Sequence, residues 1–327
     1  MKITSIDLFI LKSALTDSPY PSKPVVCRIN TDEGIYGFGE AGIYTGLGEH
    51  GVFGMLQDLA PLAIGKDPMD NEVIWEDIRT RLHGHCSGAG VAVFSALSAL
   101  DIAMMDIKGK AFGVPCYKLL GGLHNAKLPC YASHIQNGWG TDIAPRGSAE
   151  EYAEIAHRVQ EAGYPAAKFD FIAFDRDKRP LSRTETAHQL YKQDLLNMVE
   201  ERLQAIRARC GDHFGIIMEN LCRLDISTSI DMDDLAVKYG VLFMEECLDP
   251  FKVSNYKVLA EKTRTPLAAG EKVHTRWGFS NYFESNCLRV IQPDVTNCGG
   301  LSEAKKICDM AHVYDMKVQA HVCGTPL

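Results

Sequence analysis

The sequence predicts an α/β fold, with parallel β/α units forming a barrel in the C-terminal part and an α+β segment ahead of it. Three observations carry this. The 327 residues are too many for one small core and fit two domains, or a barrel with an attachment. From about residue 126, short apolar runs alternate with helical stretches, the rhythm of βα repeats. Several of those runs also close on a chemically useful side chain at near-constant spacing.

Met1 to Asp7 alternates polar and apolar residues like a strand and lacks the apolar core of a signal peptide. Val25 to Asn30 and Ile35 to Glu40 read as two further strands, and Asp32-Glu33-Gly34 between them is a hairpin turn signal. The Gly-rich stretch Ala41 to Gly54 reads as a loop. Val91 to Ala111 has strong helical periodicity and ends at Gly113-Val114-Pro115. Leu119-Leu120-Gly121-Gly122 closes a first domain, residues 1–125. A barrel domain, residues 126–327, follows.

Seven strands are expected in the barrel domain: Leu128–Ala132, Ala166–Asp170, Phe214–Glu219, Val241–Glu245, Pro266–Glu271, Arg289–Asp294 and Lys317–His321. A closed barrel has eight. The chain stops six residues after His321, about where an eighth would start, so the barrel reads as truncated after the seventh.

The composition is that of an ordinary soluble protein, 46% hydrophobic and 23% charged. A net charge of -8 offers no basic patch to nucleic acid or an anionic membrane. The eleven Cys are scattered without a C-x-x-C pair, which suggests neither a zinc site nor a disulfide framework and fits a reducing cytoplasm. No uninterrupted apolar stretch reaches membrane-spanning length.

The chemistry is concentrated at the strand ends. Glu219, Glu245, Glu271, Asp294 and His321 follow one another at 26, 26, 23 and 27 residues, each about one βα unit. Equal spacing puts each in the same place in successive units, at the C-terminal mouth where barrel active sites lie. Lys168 lies near the end of an earlier strand. A single Glu after a strand is ordinarily a solvated loop residue, and a single His a satisfied polar one; regular recurrence argues otherwise. Converging carboxylates repel one another, and a hard divalent cation relieves this. Oxygen-only ligation by Glu219, Glu245 and Glu271 suits Mg2+. Such a cation binds a substrate carboxylate and stabilises the charge formed when the adjacent carbon loses a proton. His321 has the pKa range for the base, and Asp294 one strand away is placed to orient its imidazole.

Several segments resemble the mandelate racemase subgroup of the enolase superfamily. They are Ala99-Leu100-Asp101-Ile102-Ala103-Met104-Met105-Asp106-Ile107-Lys108-Gly109-Lys110, Gly113-Val114-Pro115, Leu119-Leu120-Gly121-Gly122, Glu245-Glu246, Ala269-Gly270-Glu271, and Gln292-Pro293-Asp294 with Gly299-Gly300. The resemblance covers nearly the whole chain. It implies a modified TIM-type (β/α)7β barrel under an N-terminal α+β capping domain. Loops near Lys12–Lys23 and Tyr44–Gly54 would cover the substrate, with Tyr44 among its contacts.

The arrangement is most similar to sugar-acid dehydratases such as galactonate dehydratase. That implies Glu219, Glu245 and Glu271 as Mg2+ ligands, Asp294 and His321 as the base dyad, and Lys168 as the first Lys of a Lys-x-Lys motif. It also implies a cytoplasmic homo-oligomer acting on a small sugar acid, without nucleic acid or membrane. Three departures matter. The first ligand is Glu219 where Asp is usual. Asp170 replaces the second Lys, which argues against racemisation and leaves Asp170 to contact a substrate hydroxyl. Leu221 replaces a His that serves galactonate dehydratase as acid. The charged stretch from Phe171 to about Leu195 is expected to form an extra loop near the site. The expected function is Mg2+-dependent dehydration of an aldonate or aldarate to a 2-keto-3-deoxy acid. The alternatives are an epimerase, racemase or cycloisomerase of the same superfamily, and a catalytically silent scaffold.

Overall fold

The computed structural model describes residues 1–11, 23–42, 48–82, 90–187, 189, 192–322, 324 and 325. Two compact units divide the chain. Unit 1 comprises residues 1–126, 270–281 and 291–327; unit 2 comprises 127–269 and 282–290.

Unit 1 begins with three antiparallel strands, β1 (Ile3–Ile10), β2 (Val25–Thr31) and β3 (Tyr36–Ala41). The expected turn forms between β2 and β3. Gly34 adopts φ +77°, which costs glycine nothing, and its N–H donates to Thr31 O at 3.2 Å. The register sets Ile6 opposite Ile29 and Ile10 opposite Val25. Val25, Cys27 and Ile29 are buried on one face of β2, against the helical layer.

That layer is α1 (Glu49–Leu59), α2 (Asn71–Arg81), α3 (Gly90–Phe112) and the short α4 (Cys116–Leu119). Helix α1 corrects the end of the loop expected over Ala41–Gly54, from Glu49 onward; residues 43–47 lie outside the described residues. Val52, Leu56 and Leu59 recur at helical spacing and are buried in the core, which outweighs the cost of Gly51 and Gly54. Helix α3 is apolar nearly all round because it is the core helix. By length and composition it would suffice to cross a membrane, but 72% of its most apolar window is buried inside the protein.

Unit 2 is built of β/α repeats. The first expected strand, Leu128–Ala132, reduces to one parallel bridge between Ala132 and Ala167. Pro129 has no N–H for a ladder, and Leu128 is exposed. Then come α5 (Ala149–Glu161), β4 (Ala166–Asp170), α6 (Arg183–Thr186), α7 (Gln193–Cys210), β5 (Gly215–Glu219), α8 (Ile226–Lys238), β6 (Met244–Glu245), α9 (Val253–Ala260) and β7 (Leu267–Ala269). Strands β4 to β7 pair in sequence order, all parallel. Every residue of β4 is buried. Part of the expected loop from Phe171 to Leu195 is ordered as α6, whose capping box pairs Ser182 with Glu185.

Helix α10 (Thr275–Ser285) and strand β8 (Val290–Ile291) each contribute residues to both units, and α11 (Leu301–Val313) and β9 (Lys317–Val318) belong to unit 1. Gln319 N–H donates to Ile291 O at 3.0 Å, and a parallel bridge joins Asp294 to His321. The strands are shorter than expected. Glu219 and Glu245 end β5 and β6, whereas Glu271, Asp294 and His321 lie just past β7, β8 and β9. None of the described cysteines is in a disulfide.

Candidate active site

In unit 2 the parallel register aligns Asp170 with Glu219 and Glu219 with Glu245. Both glutamates are fully buried. Between them lies the ammonium of Lys168, 2.9 Å from Glu219 Oε2 and ion-paired to Glu245 Oε1. Burial alone would discharge this lysine, but the two carboxylates outweigh it and raise its pKa. Burial and the adjacent Glu219 push Glu245 upward; Lys168 and His134 hold Glu219 low against its own burial.

The chain curls around Glu219. Leu221 and Cys222 take φ of 47° and 56°, and Oε1 accepts the N–H groups of Asn220 and Leu221 at 3.0 and 2.9 Å. Oε2 is buried and accepts no well-formed hydrogen bond; the Lys168 contact is close but not aligned as one. Asp170 is buried too. Its Oδ1 accepts from Ile172 N–H at 3.0 Å, and its Oδ2 is paired with Arg223. Burial drives its carboxyl up to about 7, against the pull of Arg223.

Unit 1 sets His321 beside Asp294. His321 Nδ1 lies 2.7 Å from Asp294 Oδ2. Asp294 Oδ1 accepts twice from Thr296, from its N–H at 2.7 Å and its hydroxyl at 2.6 Å. A carboxylate can only accept, so Nδ1 carries a proton and donates it to Asp294. Nε2 lies 3.4 Å from Glu271 Oε2, and Glu271 Oε1 accepts from Lys272 at 2.6 Å.

The N-terminal segment braces this dyad. Gly42 N–H donates to Thr296 O at 2.8 Å, and Ser95 Oγ donates to Gly42 O at 2.7 Å. Glu40 Oε2 accepts from Thr325 N–H at 2.8 Å, four residues beyond His321. The family-like segments also meet. Asp101 Oδ1 accepts from Asn71 and Ser302 side chains at 2.7 and 2.8 Å, and Trp75 Nε1 donates to Gly299 O at 2.9 Å.

Two family models cover most of the chain. "Mandelate racemase / muconate lactonizing enzyme, N-terminal domain" matches residues 16–121, and "Enolase C-terminal domain-like" matches 151–327. The chain belongs to the mandelate racemase/muconate lactonizing enzyme family of the enolase superfamily. Among its relatives, a D-xylonate dehydratase of Haloferax volcanii is 28% identical over 97% of this chain and 72% of its own length. A D-galactonate dehydratase of Verminephrobacter eiseniae is 30% identical over 94% and 73%. The crystal structure of a putative dehydratase from Zymomonas mobilis ZM4 superposes with a TM-score of 0.93 at 41% identity, over 99% of this chain and 81% of that one. The fold class is therefore the expected one, a TIM-type α/β barrel with an N-terminal α+β cap. The relatives named as dehydratases are hydro-lyases, and enolase-superfamily members bind a divalent metal.

Of the expected site residues, the structure brings Lys168, Glu219 and Glu245 together in unit 2, with Asp170 alongside, and His321, Asp294 and Glu271 together in unit 1. Tyr44 lies outside the described residues. Among the described residues no group of three or more His, Cys, Asp or Glu is set to hold a metal ion. Sequence reasoning missed His134, whose Nε2 is 3.7 Å from Glu219 Oε2, and also Arg223 and Thr296. The rule that found the carboxylates, a polar residue just past an apolar run, applies equally to His134 after Leu128–Ala132.

Proposed function

We propose that this member of the superfamily dehydrates a sugar acid, an aldonate or aldarate, to its 2-keto-3-deoxy acid, with Mg2+ held by Glu219, Glu245 and Glu271. The donor chemistry fits the metal. All the donors are oxygens, and Glu219 Oε2 is a buried carboxylate oxygen without a well-formed hydrogen bond. Bound there, the cation would hold the substrate carboxylate and offset the negative charge formed as the α-proton leaves.

The observation that carries the reading is the 2.7 Å contact of His321 Nδ1 with Asp294. It leaves Nε2 to take the proton from the carbon beside the carboxylate. Two Thr296 donors hold the other oxygen of Asp294, and the carboxylate stabilises the imidazolium that results. The β-hydroxyl then leaves with the electron pair of its C–O bond. Leu221 stands where the related galactonate dehydratases carry an acid, so His321 returns its proton to the departing hydroxide, a syn elimination. Water is released and the enol tautomerises to the keto acid. Lys168 holds Glu219 ionised and both carboxylates in place, and Asp170 orients Arg223 toward substrate hydroxyls.

A panel of D-xylonate, D-galactonate, D-gluconate, D-mannonate and the corresponding aldarates, incubated with Mg2+ in D2O, tests this. A 2-keto acid from at least one member is expected. Deuterium at the α-carbon without keto acid would replace dehydration by epimerisation. Neither product would leave a silent scaffold.

A further inference from the structure

Strand β3 ends beside a carboxylate that a core strand has little reason to bury. Glu40 is 5% exposed and lies one residue before the last of the strand, Ala41. Burying a carboxyl group is costly unless it is hydrogen-bonded. Among the described residues, its Oε2 accepts from the N–H of Thr325 at 2.8 Å and from the Thr325 hydroxyl, 285 positions along the chain. Gly42, just past the strand, is equally committed. Its N–H donates to Thr296 O at 2.8 Å, and its carbonyl accepts from Ser95 Oγ at 2.7 Å.

Both residues are placed by the pleat of β3. Successive residues alternate between the faces of a strand, so Gly37 and Gly39 share one face, and Glu40 and Gly42 the other. A Cβ on Gly37 or Gly39 would overlap the carbonyl oxygen of Ala103 or Ala99, so the strand is seated directly on the backbone of α3. Gly42 is not held at a positive φ; it is glycine for room, since a Cβ there would overlap Thr296 Oγ1. That hydroxyl is the one that donates to Asp294 Oδ1 at 2.6 Å. The other arm closes beside it. A Cβ on Gly324 would lie 3.4 Å from Thr296 Cγ2 and 3.5 Å from Glu40 Oε2. The segments that carry Asp294 and His321 are thus held from two points only two residues apart on one strand.

We infer that the end of β3 positions the dyad: Glu40, through Thr325, fixes the segment that follows His321, and Gly42, through Thr296, fixes the carboxylate of Asp294. Glu40 and Gly42 are positioning residues, acting through Thr325 and Thr296 and not on a reacting atom. The inference rests on the base pair of the proposed function and deepens it. A proton-abstracting imidazole gains from a geometry set before substrate arrives, and a strand seated on a core helix is a stiffer support than a loop.

The imidazole N–H that His321 donates to Asp294 is the probe, followed by nitrogen-edited NMR on the metal-free full chain and assigned by its loss in H321N. Its exchange with water should be slow in wild type. E40L removes the acceptor and should speed exchange about tenfold; E40Q, whose amide oxygen still accepts from Thr325, should keep it within about twofold of wild type. G42A pushes the Thr296 hydroxyl off Asp294 and should also speed it about tenfold. S95A, which loosens Gly42 without adding an atom, tests the same arm if G42A does not fold. S302A removes a hydroxyl bonded to Asp101 where α3 meets α11, and should stay within about twofold, which separates positioning from general loosening. With an accepted substrate, E40L should lower kcat for α-proton exchange and leave KM within about twofold. The assignment is overturned if wild type shows no protected N–H, if E40L and S95A exchange like wild type, if E40Q is as fast as E40L, or if S302A matches them. A sugar-acid panel that yields no keto acid, with this exchange pattern intact, counts against dehydration and not against β3.

Discussion

At His321 one hydrogen bond fixes the ring: Nδ1 donates to Asp294, whose other oxygen is held by Thr296. Replacing His321 with Asn should slow α-proton exchange by roughly 10²–10⁴-fold, read by NMR in D2O. T296V removes the hydroxyl donor to Asp294 and keeps the shape. A hydrogen bond to a charged group contributes about 1.5–3 kcal/mol, so exchange should fall at least about tenfold, with T296S restoring it. In unit 2, Lys168 is the counter-charge of two buried glutamates. K168M should lower the stability of the metal-free protein by about 3–5 kcal/mol, seen in chemical denaturation, and Mg2+ should recover part of the loss. Glu219, Glu245, Glu271, Asp294 and His321 were legible in the sequence because they recur once per βα unit. Thr296 and His134 were not, because their partners are set by how loops turn after strands have paired.

Strand β3 and helix α3 show what an element asks of its residues. A Cβ on Gly39 would lie 1.9 Å from Ala99 O, and one on Gly37 2.1 Å from Ala103 O. The strand therefore lies directly on the helix backbone. G39A should lose at least about 3 kcal/mol, measured by urea denaturation, since neither backbone can retreat without opening the core. Helix α5 makes a prediction in pH. Its capping box joins Ser148 and Glu151. Burial would raise the Glu151 carboxyl, but Lys178 and the N–H groups of Gly147 and Ser148 prevail and hold it at about 2. A depressed carboxyl stabilises the fold fully above its unfolded value of about 4.3 and progressively less as pH falls toward 2. E151Q should therefore lose stability at pH 7 and show a flatter decline between pH 4.5 and 2, followed by thermal melts across that range. Element types were legible wherever periodicity was long, as in α3. They failed where it was short: Leu128–Ala132 was broken as a strand by Pro129, and α1 was hidden by its glycines.

For the whole molecule, family membership and the proposed metal make a joint prediction. Chelation should abolish α-proton exchange while leaving unit 1, whose core is a continuous apolar cluster, folded by far-UV circular dichroism. Readdition of Mg2+ should restore exchange. By itself the sequence determined the class of fold, the order of its repeats, and which carboxylates and imidazole recur at strand ends. Each of these depends on local periodicity, and periodicity is written residue by residue. Only the tertiary structure decided that Gly42 supports Thr296 and that Glu40 holds Thr325, four residues past His321. Both join residues more than 250 positions apart. Hydrogen bonds of that kind are chosen by the position of the partner atom, and no spacing along the chain specifies it.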